Sequence, residues 1–361
     1  MTVQILIGDA LVRLRELPSE SVHCCVTSPP YWGLRDYGVA GQIGLEPAPE
    51  EWVARLVEIF GEVRRVLRSD GTLWLNLGDS YCNTDKWGGG GAGNTGKHTV
   101  SEDGGVPSWA VRRRRDPIMG IKPKDLVGAP WMLAFALRAA GWWLRQDIIW
   151  SKPNPMPESV TDRCTKAHEY IFLLSKSKRY HFDQGSIAEA AAYAGLANQD
   201  ESGFKDPRRF NGKHREGYNS SGTVRAKDAD NRASPPTSRP HSLSAFEEAN
   251  GREYATRNKR SVWEVATNPY SEAHFATFPP ALIEPCILAG CPKGGTVLDP
   301  FGGAGTTALV ADRNGRDAIL IELNPEYAEM ARKRLASDAG LFSSVDLQHS
   351  NASTQEPTDA R

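Results

Sequence analysis

Short apolar runs of strand type alternate with segments of helical periodicity along most of the chain, the pattern of a parallel sheet with crossover helices. Residues 22–26 read Val-His-Cys-Cys-Val, a buried strand that ends at Thr27-Ser28-Pro29-Pro30. Between residues 51 and 67, Trp52, Leu56, Ile59, Phe60, Val63, Val66 and Leu67 share one helical face, and Asp70-Gly71 separates that helix from a strand over 72–77. The same alternation predicts a helix around 131–140 followed by a strand over 144–150. It also predicts strands over 296–299 and 318–322 with a helix between them. Asn324-Pro325 caps and opens a last helix over 326–335.

Three stretches interrupt this pattern. Residues 83–107 contain Gly88-Gly89-Gly90-Gly91 and run on into the basic stretch 112–124, which reads as a mobile loop. Residues 195–251 are polar, with Pro235-Pro236 and many Ser, Asn and Gly, and cannot build a large core. The acidic end of the chain, 337–361, reads as a disordered tail.

The 361 residues carry 43 Lys+Arg against 44 Asp+Glu, so nothing marks the protein as basic overall. The charge is nevertheless unevenly placed. Residues 112–124 hold Arg112, Arg113, Arg114, Arg115, Lys122 and Lys124 against Asp116 alone, and 201–260 hold 13 basic and 8 acidic residues among Phe204, Phe210, Tyr218, Phe246 and Tyr254. Such patches suit either solvated loops or nucleic-acid contacts. The most apolar stretch, 126–144, is broken by Arg138 and holds Gly128, Pro130 and Gly141, so no membrane span is expected. The first nine residues lack the basic and apolar regions of a secretory signal. The six cysteines form no C-x-x-C pair, which predicts a reducing, cytoplasmic setting with neither a zinc site nor a disulfide framework.

Two constellations carry chemistry. Asp299-Pro300-Phe301-Gly302-Gly303-Ala304-Gly305-Thr306-Thr307 lies between a strand and a helix, where Gly303 and Gly305 let the backbone approach a ligand at the helix amino terminus. Glu322 ends the next strand, where a carboxylate can accept both hydroxyls of a ribose. Gly303-x-Gly305-x-x-Ala308 also satisfies the dinucleotide fingerprint. It lies about 60 residues from the end of the chain, however, so the strands that complete its sheet must come from the amino-terminal half. The second constellation, Thr27-Ser28-Pro29-Pro30-Tyr31-Trp32, is a turn whose two prolines keep the backbone out of regular structure, with Ser28 and Tyr31 on either side.

Together these motifs resemble the catalytic and cofactor motifs of the amino-group DNA methyltransferases, in the beta-class arrangement that places the catalytic motif first. The resemblance extends to Gly8-Asp9, to Asp147-Ile148-Ile149-Trp150-Ser151-Lys152-Pro153-Asn154 and to Met156-Pro157-Glu158-Ser159. It continues through His168-Glu169-Tyr170, Leu173-Leu174-Ser175-Lys176-Ser177 and 274–279, about two thirds of the chain. It implies an α/β fold, a circularly permuted Rossmann-like S-adenosylmethionine-dependent methyltransferase sheet with helices on both faces, plus a loop-rich target-recognition insertion. The implied division is a catalytic half in 1–82 and 121–184, a mobile Gly/Arg-rich insertion in 83–120 and a target-recognition region in 185–262. A cofactor-binding half in 263–336 and the tail 337–361 complete it.

The resemblance also implies roles. Ser28 and the Pro29 carbonyl would accept the two N–H bonds of a base amino group. Its nitrogen is thereby drawn toward tetrahedral geometry, with Pro30 fixing the turn and Tyr31 stacking on a base taken out of the duplex. Phe301, Gly303, Gly305 and Thr306 would wall S-adenosylmethionine, Glu322 would hold its ribose, Asp9 its adenine amino group, and Asp299 would lie near the methionine part. His274 to Phe278 would close that side, although Phe278 stands where the family more often has Lys. The partner is double-stranded DNA, with a cognate restriction enzyme as a further one. Arg163, Arg208, Arg209, Lys213, Arg215, Arg225 and Arg239 are candidates for phosphate or guanine contacts, with Arg112 to Arg115 as a second clamp.

Ser28 ahead of the two prolines resembles the cytosine-N4 group more than the Asp-Pro-Pro-Tyr of adenine enzymes, with adenine N6 as the alternative. Cys24 and Cys25 lack a Pro-Cys context and read as core. His168-Glu169 reads as a strand-initiating structural pair with acid/base work as the alternative, and Gly78-Asp79 as a turn whose Asp79 can edge the base pocket. A nicotinamide oxidoreductase would account for the glycine loop but not for the Ser28 to Tyr31 turn. A non-enzymatic DNA-binding protein would account only for the basic patches.

Overall fold

The computed structural model describes residues 1–82, 121–190, 256–267, 277–338 and 344–348. The chain divides into two units, 1–187 with 259–361, and 188–258. In the larger unit the strands are β1 (Thr2–Ile7), β2 (Val22–Thr27), β3 (Leu67–Leu77), β4 (Trp143–Ser151) and β5 (His168–Ser175). In the smaller unit β6 (Glu189–Ala190) pairs antiparallel with β7 (Thr256–Arg257), and Glu189 and Arg257 form an ion pair at 3.4 Å. The larger unit resumes with β8 (Val262–Glu264), β9 (Thr296–Asp299), β10 (Asp317–Glu322) and β11 (Ser344–Gln348). Its helices are α1 (Ala10–Glu16), α2 (Pro49–Val66), α3 (Ala129–Ala139), α4 (Pro280–Gly290), α5 (Thr306–Arg313) and α6 (Pro325–Asp338). None of the described helices is long and apolar enough to cross a membrane.

The sheet order is β11-β1-β10-β9-β2-β3-β5-β4-β8. The late strands β9 and β10 thus lie between β1 and β2, so strands from the amino-terminal part of the chain flank them on both sides. The apolar faces of α1, α2 and α3 pack in one buried cluster with Leu73, Leu75 and Phe172, and those of α4, α5 and α6 in another with Val26, Trp74 and Leu320. Alternate residues of the strands face the two clusters, which is how one sheet serves helices on both faces. Cys24 and Cys25 are fully buried, one in each cluster, and burial pushes both thiols well above their ordinary range, so they are core residues.

Three expectations need correction. The sheet is mixed: β5 runs antiparallel to both β3 and β4. The connection from β4 to β5 carries Pro153, Pro155 and Pro157 and forms no helix, so the chain returns antiparallel without a crossover. The helix and strand thought to be parted by Asp70-Gly71 meet at Val66–Leu67, and β3 runs through Gly71, with a register irregularity between Val22 and Cys24 of β2. The segment read as a disordered tail holds β11, which pairs parallel with β1 and tucks Val345 and Leu347 against the core.

The borders of the 185–262 region shift as well. Ile187 packs on the large core, and Val262 pairs with Ile149 of β4, so both ends of that stretch belong to the larger unit.

Packing beneath the sheet is tight where α4 ends. A methyl group on Gly290 would meet the Trp74 indole nitrogen, with Thr72 Oγ1 at 2.7 Å and Cys24 Sγ at 2.9 Å, all buried. Gly290→Ala is therefore expected to destabilise the fold by roughly 1–3 kcal/mol, the usual cost of overpacking a core. Chemical denaturation would show a lowered midpoint, and an unchanged midpoint would contradict this packing.

Candidate active site

β9 and β2 are parallel neighbours, with Cys24 opposite Val297 and Cys25 opposite Leu298. From β9 the chain crosses by α5 to β10 on one side, and from β2 it crosses by α2 to β3 on the other, on opposite faces. The strand order therefore reverses between β9 and β2, and ligands of open α/β sheets bind at the carboxyl ends of the strands at such a point. There the two sequence constellations meet around one 650 Å3 cavity.

Asp299 joins them. It is 1% exposed, and its carboxylate accepts bonds from Thr27 Oγ1 at 2.6 Å, Thr307 Oγ1 at 2.6 Å and the Phe301 N–H at 3.1 Å. One side chain thus pins the end of β2, the glycine loop and the start of α5. Burial raises its carboxyl above the ordinary carboxylate range, and these three bonds pull the other way.

The glycine side of the cavity is built on β9 and β10. Gly303 (φ +50°) and Gly305 (φ +76°) adopt left-handed backbone, and a Cβ on Gly305 would lie 3.0 Å from that of Ala331 in α6, so a larger residue is excluded on both counts. Glu322 accepts the Gly303 N–H at 2.8 Å and the Asn324 N–H at 2.9 Å, which fixes the carboxylate at the rim; burial raises it above the ordinary range. Ile7 lies opposite Glu322 in the β1–β10 ladder, and Gly8 N–H donates to the Glu322 carbonyl at 2.9 Å, which brings Asp9 to the same rim. Asp9 caps α1 by accepting the Val12 N–H at 3.1 Å. Phe301, Phe278 and Thr306 complete this wall, and Thr306 Oγ1 also accepts Arg334 Nη1 at 2.9 Å. Arg35, Tyr37 and Tyr327 line the cavity too, and sequence reasoning missed them. The signal available was an aromatic and an arginine in the loop directly after the Ser28 to Tyr31 turn.

The opposite wall is the turn itself. Ser28, Pro29, Pro30 and Tyr31 all line the cavity, and Trp52 Nε1 of α2 donates to the Pro30 carbonyl at 2.9 Å, holding the turn against the core. Ser28 Oγ donates to Tyr31 Oη at 3.3 Å. Tyr31 Oη lies 2.8 Å from Glu169 Oε2 and 3.2 Å from Asn76 Oδ1 and can donate to either. Glu169 Oε1 pairs with Lys152 Nζ, and Lys152 Nζ also sits 4.2 Å from the Trp150 ring centroid. Burial, then the Glu169 charge, raises the Tyr31 phenol well above its ordinary range.

Glu169 begins β5 beside His168 as expected, yet it is also a wall of the cavity. Asp79 serves the turn: its carboxylate accepts the Gly128 N–H at 3.0 Å and the Ala129 N–H at 3.2 Å, where α3 starts. Arg163 pairs with Glu158 at 2.6 Å and stacks 3.9 Å from the Tyr81 ring centroid. Arg112 to Arg115, Arg208, Arg209, Lys213, Arg215, Arg225, Arg239 and His274 lie outside the described residues.

A family model described as DNA methylase, of the N6/N4 type, matches residues 22–333. The chain belongs to this DNA methylase family. It is 43% identical over 331 residues to the type II methyltransferase M.Cfr9I of Citrobacter freundii, covering 92% of this chain and 87% of that one. To M.SmaI of Serratia marcescens it is 41% identical, covering 92% and 90%. Among solved structures, the cytosine-N4-specific PvuII DNA methyltransferase shares the fold at TM-score 0.56 and 18% identity, covering 92% of this chain and 86% of that one. A putative DNA modification methylase of Thermus thermophilus, solved with S-adenosylmethionine, shares it at TM-score 0.51 and 21% identity, covering 96% and 99%.

As a member of this family the chain methylates DNA with S-adenosylmethionine. The glycine wall fits that cofactor: Glu322 is held with its carboxylate at the rim, Gly303 and Gly305 adopt left-handed backbone with no room for a side chain at Gly305, and Phe301 and Phe278 line the cavity.

Gly78, directly after β3, lies against the Tyr31 ring. A methyl group there would lie 2.7 Å from Tyr31 Cε2 and 3.3 Å from Glu169 Cδ. Gly78→Ala is expected to displace the Tyr31 ring and slow methyl transfer by about tenfold or more, because misplacing a positioned group even slightly is costly. Cofactor affinity should stay at the wild-type value, and wild-type turnover in the variant would contradict the placement of Tyr31.

Proposed function

We propose that the protein transfers a methyl group to the exocyclic N4 of cytosine in duplex DNA, by direct attack of a base extruded into the cavity. The observation that carries this reading is the neutral hydroxyl of Ser28 at the head of a Pro-Pro turn, facing the glycine wall across one cavity. An exocyclic amino group is a poor nucleophile because its lone pair is delocalised into the ring. Ser28 Oγ and the Pro29 carbonyl accept its two N–H bonds and draw the nitrogen toward tetrahedral geometry, which frees the lone pair. The Trp52 bond to the Pro30 carbonyl and the rigid prolines hold these acceptors in place before the base arrives. S-adenosylmethionine supplies a methyl group made electrophilic by its sulfonium. Glu322 binds the ribose, Asp9 the adenine, and Phe301, Phe278, Gly303, Gly305 and Thr306 wall the remainder, with Asp299 holding both loops. No covalent enzyme intermediate is needed.

Lys152 adds support for cytosine. Its ammonium lines the cavity, and two of its N–H bonds remain after the pairing with Glu169, so it can donate to the ring carbonyl that cytosine has and adenine lacks. Target reading falls to the smaller unit, 188–258, where Arg208, Arg209, Lys213 and Arg215 contact DNA, with Arg163 as a further contact, and the enzyme works in the cytoplasm alongside a restriction partner.

The test is incubation of the purified protein with unmethylated duplex DNA and methyl-labelled S-adenosylmethionine, then digestion to nucleosides and mass spectrometry. Label on N4-methylcytosine is expected. Label on N6-methyladenine would overturn the choice of base, and label on neither would overturn amino methylation by this turn.

A further inference from the structure

We infer that Ser28, Tyr31 and Glu169 form a relay that carries the amino proton away from the reacting nitrogen, with Glu169 as the positioning residue that receives it. The inference rests on the reading of Ser28 as an acceptor of the amino group and holds for either base.

Methyl transfer leaves a proton in excess. The nitrogen lone pair forms the N–C bond as the C–S bond breaks and its electron pair stays on sulfur, so the nitrogen becomes a cation that must lose a proton. The Pro29 carbonyl accepts a hydrogen bond but cannot hold that proton at neutral pH. Ser28 Oγ can take it while passing its own onward. Ser28 Oγ donates to Tyr31 Oη at 3.3 Å, and Tyr31 Oη, which can donate to Asn76 Oδ1 at 3.2 Å or to Glu169 Oε2 at 2.8 Å, makes the shorter contact with the carboxylate, so the links lead away from the base. When the amino proton moves to Ser28, that of Ser28 moves to Tyr31 and that of Tyr31 to Glu169. Both hydroxyls end as they began, and the carboxylate becomes a carboxylic acid.

The surroundings hold this chain in line. Lys152 Nζ fixes Glu169 Oε1, which leaves Oε2 to Tyr31. Asn76 of β3 reaches Glu169 Oε2 at 3.3 Å and the Tyr170 carbonyl at 3.1 Å, binding β5 to the relay. The charged and titratable groups around Glu169 are Lys152 after β4, Tyr31 after β2, Lys166 before β5, and His168 and Tyr170 on its own strand. Lys166 donates to the Asp79 carbonyl at 2.7 Å. Burial keeps Tyr31 a neutral phenol, as a link that both accepts and donates must be.

Single-turnover methylation with labelled S-adenosylmethionine, on an unmethylated duplex carrying the target site, tests the relay in Glu169→Gln, Tyr31→Phe and the double variant. Each single change is expected to lower the rate about 10²-fold, the scale of general acid–base catalysis. Cofactor and DNA affinity should be unchanged, so that the loss falls on the chemical step alone. The double variant should be no slower than either single one, because both break the same chain. A rate near wild type in Glu169→Gln, or additive losses in the double variant, would overturn the relay. Should Glu169→Gln lose its fold by circular dichroism, Tyr31→Phe alone decides: a wild-type rate overturns the relay, and a loss of about 10²-fold at unchanged cofactor and DNA affinity supports it. If Ser28→Ala is slow while Glu169→Gln is not, the relay fails and the reading of Ser28 stands. If Ser28→Ala is as fast as wild type, that underlying reading fails.

Discussion

Replacing Ser28 by alanine is expected to slow methyl transfer by about 10²–10³-fold, the usual effect of removing one preorganised polar group from the reacting atoms. The alanine leaves the Pro29 carbonyl as the sole acceptor on the turn, so the nitrogen stays nearer its planar form. The loss should fall on the chemical step. Ser28 touches none of the residues that wall the cofactor through hydrogen bonds; its partner is Tyr31. Single-turnover rates should therefore drop while the dissociation constant for S-adenosylmethionine, measured by calorimetry, stays put. The fold should also survive, since the turn is held by Trp52 and its prolines. A wild-type rate in Ser28→Ala would remove the turn from the chemistry.

Glu322→Ala is expected to do the reverse, weakening cofactor binding by about 100-fold or more, since hydrogen bonds to a charged group contribute about 1.5–3 kcal/mol each. The substitution removes the ribose acceptor and also frees the Gly303 and Asn324 N–H groups that the carboxylate holds at 2.8 and 2.9 Å. Glu322→Gln should lose less. Its pH dependence has a definite sign. Burial raises the folded-state carboxyl above its ordinary value, so as pH falls the site loses its charge earlier than an exposed glutamate would, and cofactor affinity should decline from above the ordinary glutamate range. Stability runs the other way. With the folded pKa values of Glu322 and Asp299 raised, their contribution is full below the unfolded values and is lost as pH rises through the folded ones. Calorimetric titrations at several pH values, with thermal unfolding beside them, would separate the two trends. A cofactor affinity that is flat across this range would contradict the role of Glu322.

Most of the central sheet was legible because its signals are local. The run 22–26, the helical face from Trp52 to Val66 and the strands ending at Asp299 and Glu322 each declare themselves within a few residues, and the late glycine loop implies that amino-terminal strands complete its sheet, although their order, β1-β10-β9-β2, was not legible. The direction of β5 was not legible by periodicity, since a buried strand reads alike in either direction; the prolines before it were the usable sign. β11 was hidden by the polar, acidic stretch around it, although Val345 and Leu347 alternate as an edge strand should.

At the site, the turn and the glycine loop could be found as motifs, but their partners could not. Glu169 follows Tyr31 by 138 residues, and Thr27 and Asp299 are 272 apart. Only the pairing of β2 with β9 and of β3 with β5 brings these side chains together. Asp299 illustrates the point: its sequence context suggested a place at the cofactor, and it lines the cavity, but only the fold shows the three hydrogen bonds that also make it the pin between two loops.

The arrangement of two walls around one amino group is tested most directly by a crystal structure with target duplex and S-adenosylhomocysteine. The target cytosine should be out of the helix, with its N4 at hydrogen-bond distance, about 3 Å, from both Ser28 Oγ and the Pro29 carbonyl, and facing the sulfur. A base seated with its amino group turned away from the Ser28 to Tyr31 turn, or still stacked in a duplex bound elsewhere, would contradict the account.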